Sequence, residues 1–338
     1  ACRTTCNDGF ADCNMRADDG CEADLTSSAT HCGGCGMACG AGQVCRDRRC
    51  VSPCATGEIA CGGRCVNPQT DRANCGACGR DCAPGTCRAG ACTPFLIATL
   101  PTSRAATLAF DGTYLYSGGH FEGTLYRVRA DGAGAPQRLY DGPGYLTGVY
   151  WLGGTLYWNS YRDSNVYRAT AAGGGPVSSA PLGLSDAGDI LVEDDFIYSV
   201  SYQMGATSPV YRTPRSGGAP MLFATVPDRG GEEIFRTPGG DLLISSQYLD
   251  TIWRVSRSGG VSLMMRFSTG ASPQQIGADN AAIYVCLNGS GQVVRIDNAT
   301  MRVTPVATGL DSPYGLVVTD TMIYFSNYFA HDIWGMRK

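Results

Sequence analysis

Lysine is almost absent from this chain of 338 residues: of its 26 basic residues, only Lys338 is a lysine. The arginines are spread along the whole sequence and form no basic patch. With a formal net charge of -4, the chain offers no field for a polyanion, which excludes nucleic acid as a partner. There is also no apolar run near eighteen residues, which excludes a membrane-spanning helix. No charged segment followed by an apolar one opens the chain, which starts at Ala1 rather than Met. The expectation is an exported protein, secreted or held at the cell surface, whose signal peptide has been removed. Cysteine is scarce in one region only. Of the 18 cysteines, Cys286 alone follows Cys92, and this asymmetry divides the chain before any motif is considered.

The N-terminal cysteines fall into two similar blocks once Cys2 is set aside. The first holds Cys6, Cys13, Cys21, Cys32, Cys35, Cys39, Cys45 and Cys50. The second holds Cys54, Cys61, Cys65, Cys75, Cys78, Cys82, Cys87 and Cys92. Each opens with C-x6-C, continues with HCGGCGMAC or NCGACGRDC, and closes with two further cysteines, which marks a tandem duplication. The C-x2-C pairs would suggest zinc in a cytosolic chain. Among six other cysteines per block they point instead to disulfides made in an oxidising compartment, with the connectivity left open. Cys2 and Cys286 remain; they either pair with each other, or Cys2 links to another chain while Cys286 stays a buried thiol. Asp12, Asn14, Asp18, Asp19, Glu22 and Asp24 supply oxygen ligands of the kind Ca2+ takes, although Asx-rich turns between bridges give the same composition.

Residues 94–338 repeat with a period near forty. The runs LYSGG, LYWNS, IYSVS, LLISS, IYVCL and IYFSN align at Tyr116, Tyr157, Tyr198, Leu243, Tyr284 and Tyr324. A second register follows at Tyr126, Tyr167, Tyr211, Trp253, Val294 and Trp334. Turn dipeptides such as Asp111-Gly112, Gly153-Gly154 and Gly217-Gly218 separate the runs where hairpins need positive φ. Four short strands per period, with no room for a helix, predict six propeller blades. The sixth period stops after three strands, and the unpartnered run 95–100 (FLIATL) is expected to supply the fourth and so remove an exposed sheet edge.

The fold class expected is therefore all-β, with a disulfide-rich region at 1–93 and a six-bladed β-propeller at 94–338. The CGxCGxxC core resembles the stigma-specific cysteine-rich family over residues 54–92 and, more loosely, over 6–50; in such proteins the modules look like spacers or binding knobs. Residues 94–338 resemble the six-bladed YWTD and NHL propellers, best in SPYGLVVTDTMIYFSNYFAHDIWGM (312–336), but without the Thr-Asp half of the YWTD signature.

Chemistry on a propeller is expected where the loops before the inner strands meet those joining the second and third strands. The first set ends at Thr107, Gly148, Asp189, Glu233, Gln275 and Gly315. The second set supplies Tyr161, Tyr202, Tyr248, Asn288 and Tyr328, polar-tipped aromatics and an amide suited to carbohydrate or peptide, or else packing between blades. Asp189, Glu232 and Glu233 form an acidic cluster that would hold Ca2+; the position resembles the metal site of gluconolactonase-like propellers, with a ligand set that is incomplete. His120 and His331, on blades that closure makes neighbours, are candidate bases, as in propellers resembling the streptogramin-inactivating lyases. The function expected is an exported surface or matrix protein that recognises an extracellular protein or glycan and requires no cofactor. Two alternatives stand beside it: a propeller lactonase or lyase, and a structural subunit of an extracellular assembly.

Overall fold

The computed structural model describes residues 5–338 except 17, 62–63, 103, 176, 183–185 and 203–204. The chain divides into two compact units between Thr93 and Pro94. Cys2 lies outside the described residues. Cys286 is a free, buried thiol in blade five.

In the first unit the two blocks share one connectivity. The bridges are Cys6–Cys21, Cys13–Cys35, Cys32–Cys45 and Cys39–Cys50, then Cys54–Cys65, Cys61–Cys78, Cys75–Cys87 and Cys82–Cys92. Within each block the first cysteine joins the third, the second the fifth, the fourth the seventh and the sixth the eighth. The closing hairpins also correspond. Val44–Arg46 pairs with Arg49–Val51 around Asp47 and Arg48, and Cys87–Arg88 pairs with Ala91–Cys92 around Ala89 and Gly90; all four turn residues have positive φ, the signature of a two-residue type I′ turn. The shared glycine after the first cysteine of each C-x2-C pair follows from close packing on that hairpin. A Cβ on Gly33 would lie 2.6 Å from the Arg48 carbonyl oxygen, and one on Gly76 would lie 2.5 Å from that of Gly90.

The acidic stretch of the first block is built as turns. Glu22 accepts from the Cys13 and Asn14 amides, Asp12 and Asn14 both accept from the Arg16 amide, and Asp24 accepts from Thr26 and Ser27. These contacts use the acidic side chains as acceptors that shape the turns between the bridges.

The second unit is a ring of six four-stranded antiparallel sheets. The inner strands are Ala105–Phe110, Leu146–Leu152, Ala187–Val192, Gly231–Arg236, Pro273–Ala278 and Pro313–Val318, each adjacent to the next in a closed cycle. The second strands, Tyr114–Gly119, Thr155–Ser160, Phe196–Ser201, Leu242–Ser246, Ala282–Leu287 and Met322–Asn327, carry the repeated anchors. These anchors are core: Tyr116, Tyr157, Tyr198, Leu243, Tyr284 and Tyr324 are all buried. In blades one and five the tyrosine hydroxyl donates to an aspartate of the preceding turn, Asp111 or Asp279. Gly153 and Gly154, both at positive φ, form the tight turn expected from the sequence. Blade six closes as anticipated, one residue shorter: Phe95–Thr99 pairs with the strand Asp332–Arg337 in the register Thr99 to Asp332 and Phe95 to Gly335.

Among the described residues every bridge lies before residue 93, so the described propeller is held by non-covalent contacts. Each bridge closes a short loop worth roughly 3 kcal/mol in the chain-entropy account. Full reduction is therefore expected to abolish ordered structure in the first unit and to leave the propeller's cooperative melt in place, as calorimetry with and without reductant would show. Collapse of both units together would contradict this division.

Candidate binding site at the channel mouth

Each inner strand pairs with its second strand through one register break that inserts an extra residue. A bulge of this kind turns successive side chains away from regular alternation. The upper residue of the break lines a cavity of about 340 Å³ at the channel mouth in five blades: Thr147, Gly188, Glu232, Gln274 and Tyr314. The residues after them are the ring read from the sequence, and they form a septum below. Gln275 accepts from the Leu108 and Leu316 amides at 2.9 and 2.6 Å and donates to the Leu108 carbonyl, tying blade five to blades six and one. The Thr107 hydroxyl accepts from the Val149 amide at 3.0 Å. Beneath the septum the opposite ends of the inner strands line a second cavity of about 320 Å³, with Asp189 and Gln275 in its wall.

The outer tier of the mouth is the first residue after each second strand: His120, Tyr161, Tyr202, Gln247, Asn288 and Tyr328, all lining the cavity. Their backbones are fixed in one way. Tyr161, Tyr202, Asn288 and Tyr328 donate N–H to the carbonyls of Tyr145, Asp186, Ser272 and Ser312, each held at positive φ just before an inner strand. Non-glycine residues persist in that conformation only where the surroundings enforce it.

Four of the five tyrosine and asparagine positions expected at the mouth are thus in place. The exception is Tyr248. Gln247 takes its position, because it stands four residues past the anchor as its counterparts do, and Tyr248 lies one residue further, half exposed at the rim, with its hydroxyl against that of Tyr202. His120 lines the cavity, whereas His331 is not among the lining residues, so the expected histidine pair is not assembled there. Tyr145, Thr147, Gln274, Tyr314 and Phe329 were not foreseen. The upper-tier signal was present as a constant offset from the anchors; the lower residues sit one position before those read from the sequence.

A hydrogen-bonded bar crosses the cavity floor. The Tyr314 hydroxyl of blade six donates to Glu232 of blade four, and Gln247 Nε2 donates to the other Glu232 oxygen at 3.1 Å and to the Tyr202 hydroxyl at 2.8 Å. Tyr314 stacks on Tyr328, with ring centroids 5.1 Å apart. Burial pushes the Glu232 carboxyl up to about 7, against the Tyr314 bond that favours the charged form. Asp189 is likewise raised to about 7 by burial, and Glu233 is raised well above its ordinary range by burial and by Asp189. Among the described residues no N–H donor reaches either Glu233 oxygen, and the neighbouring Asp189 carboxyl disfavours its charged form.

The three carboxyls do not converge on one point. Among the described residues, the groups of three His, Cys, Asp or Glu side chains close enough to hold one ion all lie in the cysteine-rich unit. His120 sits with Nδ1 2.9 Å from the Leu146 carbonyl. A carbonyl can only accept, so Nδ1 carries the proton; burial lowers the pKa, and the ring is neutral with Nε2 as its base.

Residues 47–94 match the sequence profile of the stigma-specific STIG1-like protein family. No curated protein sequence matches the chain. The propeller fold is shared with several solved structures. Virginiamycin B lyase from Staphylococcus aureus superposes with a TM-score of 0.56 at 14% identity, over 73% of this chain and 98% of that one. A gluconolactonase from Xanthomonas campestris gives 0.60 at 13%, over 72% and 89%. A chain of the nidogen/laminin complex gives 0.55 at 14%, over 64% and 86%. Identities this low carry the fold and no activity.

Two outcomes follow from the septum. A Cβ on Gly148 would lie 2.1 Å from Asp189 Oδ1 and 2.6 Å from Asn159 Oδ1, so Gly148→Ala is expected to cost about 1–3 kcal/mol of overpacking, read as a lowered propeller melting temperature. An unchanged melt would show that the septum relaxes freely. Folded carboxyls raised from about 4 toward 7 bind protons that the unfolded chain has released, so stability falls as pH rises through that window, by up to about 1.4 kcal/mol per pH unit for each group. The propeller is expected to melt lower at pH 8 than at pH 5, and Glu233→Gln should flatten that slope. A melting profile that rises with pH would contradict it.

Proposed function

We propose that this protein is exported and that the propeller mouth recognises an extracellular protein or glycan. The single observation that carries this reading is the two-tier cavity, in which one residue from each blade supplies an outer ring of aromatic, imidazole and amide groups above a hydrogen-bonded floor. Tyrosines with fixed rings bury area at low entropic cost and keep a hydroxyl for polar contacts. A concave, mostly apolar site with a few placed polar groups is the usual form of a ligand pocket, and about 340 Å³ falls within the range such pockets take. Eight disulfides in the N-terminal unit support an oxidising, extracellular setting.

A panel of extracellular proteins and glycans tests the reading. Binding by the wild type that falls at least tenfold in the Tyr161→Ala, Tyr202→Ala double variant, with its melt retained, is the expected result. Ligands that bind both forms equally would remove the mouth from recognition.

One observation favours a second reading. His120 presents an unprotonated Nε2 from the cavity wall, as a general base must. Turnover of a lactone or cyclic ester by the wild type, lost in His120→Ala while binding persists, would make the protein an enzyme.

A further inference from the structure

We infer that the mouth cavity receives a primary ammonium group, the lysine side chain of an extracellular protein partner, a conclusion that rests on the recognition reading above. Among the described residues the lining contains no lysine or arginine. At its floor Glu232 is only 8% exposed, and its hydrogen-bond partners, the Tyr314 hydroxyl and the Gln247 amide, are both neutral. Beside it Gln274, 1% exposed, donates Nε2 to Gln247 and Ser272, which leaves its Oε1 without a donor. The floor therefore presents a carboxyl with no compensating charge and an amide oxygen with no donor. Asp189 and Glu233 lie below, so the negative potential is not relieved from that side.

The walls fit the same guest. Tyr161 and Tyr202 line the cavity above the floor, and aromatic faces attract cations; Tyr145, Tyr328 and Phe329, also in the lining, each carry an arginine over the ring. A neutral sugar would leave Glu232 uncompensated, and an anion would be repelled. An ammonium supplies Glu232 with a counter-charge and donors, while a four-carbon stem fills the aromatic tier.

The surface around the mouth selects a protein as the source. Phe121, Tyr145, Tyr248, Leu249 and Phe329 are exposed there. Arg104, outside the lining, is held against Phe121, Tyr328 and Phe329 with its guanidinium 4.7–5.0 Å from the ring centroids. Exposed aromatics with a pre-set arginine are the composition of a protein-binding hot spot.

The experiment is titration by NMR or calorimetry at pH 8 with Nα-acetyl-lysinamide, its Nε-acetyl derivative, Nα-acetyl-norleucinamide and glucosamine. Saturable binding of the lysine probe is expected, at least tenfold tighter than the two uncharged analogues and tighter than glucosamine. Glu232→Gln should weaken it at least tenfold, and affinity should fall roughly tenfold from pH 8 to pH 6 as Glu232, raised to about 7, takes up a proton, with Asp189 beneath it titrating in the same direction; the tyrosines facing it titrate far above that range. The comparison among probes uses wild-type protein only, so it holds if the variant fails to fold. Equal affinity for the norleucine analogue, an unchanged Glu232→Gln, or no saturable lysine binding would each overturn the inference. Glucosamine binding more tightly would assign the ammonium to a glycan and overturn the protein commitment. Panel ligands whose binding depends on Tyr161 and Tyr202 but ignores lysine would leave the recognition reading standing alone.

Discussion

Every blade inserts one more residue into its inner strand than the second strand can match, and the channel takes its form from that mismatch. In a regular strand, neighbouring side chains go to opposite faces. The break suspends this rule for one step, so two consecutive residues serve the channel at different depths. Glu232 and Glu233 are covalent neighbours, yet one belongs to the floor of the mouth and the other to the septum beneath it. The same offset places Gln274 in the cavity wall and lets Gln275 bind the backbones of two other blades.

The electrostatic arrangement follows from this stacking. Three carboxyls are withdrawn from water in the centre of the ring, one with hydroxyl and amide donors and two set against each other. A fold selected for stability alone would place apolar groups there. Such local conflict with ordinary rules tends to concentrate at functional sites. The closed ring supplies the rigidity that tolerates it, since each core cluster is shared between adjoining blades, as where Tyr140 of blade one stacks on Trp158 of blade two.

Much of the fold was legible because a repeat samples the same physics six times. The anchors at Tyr116 through Tyr324, the turn at Gly153-Gly154 and the closing strand at Phe95–Thr99 all follow from period and hydropathy. The site was legible only in outline. Tyr248 was chosen by residue type, whereas the fold counts position, and four residues past Leu243 stands Gln247. Tyr314 and Gln274 are invisible to a periodic reading that assumes unbroken alternation. Disulfide partners were not legible at all within one block, since eight cysteines allow 105 pairings; the shared order of both blocks is a property of the folded modules. The acidic stretch near Gly20 matched two chemistries by composition, and its turn-forming hydrogen bonds to the Cys13, Asn14 and Arg16 amides become visible only in the fold.

The closing strand has a mechanical side. Phe95 follows Cys92 by three residues, so the cysteine-rich modules are leashed to the very strand that seals the ring. The chain runs from those modules through Thr93 and Pro94 into the outermost strand of blade six. That strand is attached on one edge only, to the strand Asp332–Arg337. The ring's seam and the chain's tether are thus a single element, and force reaching the propeller from its N-terminal side acts first on the bond that keeps it closed.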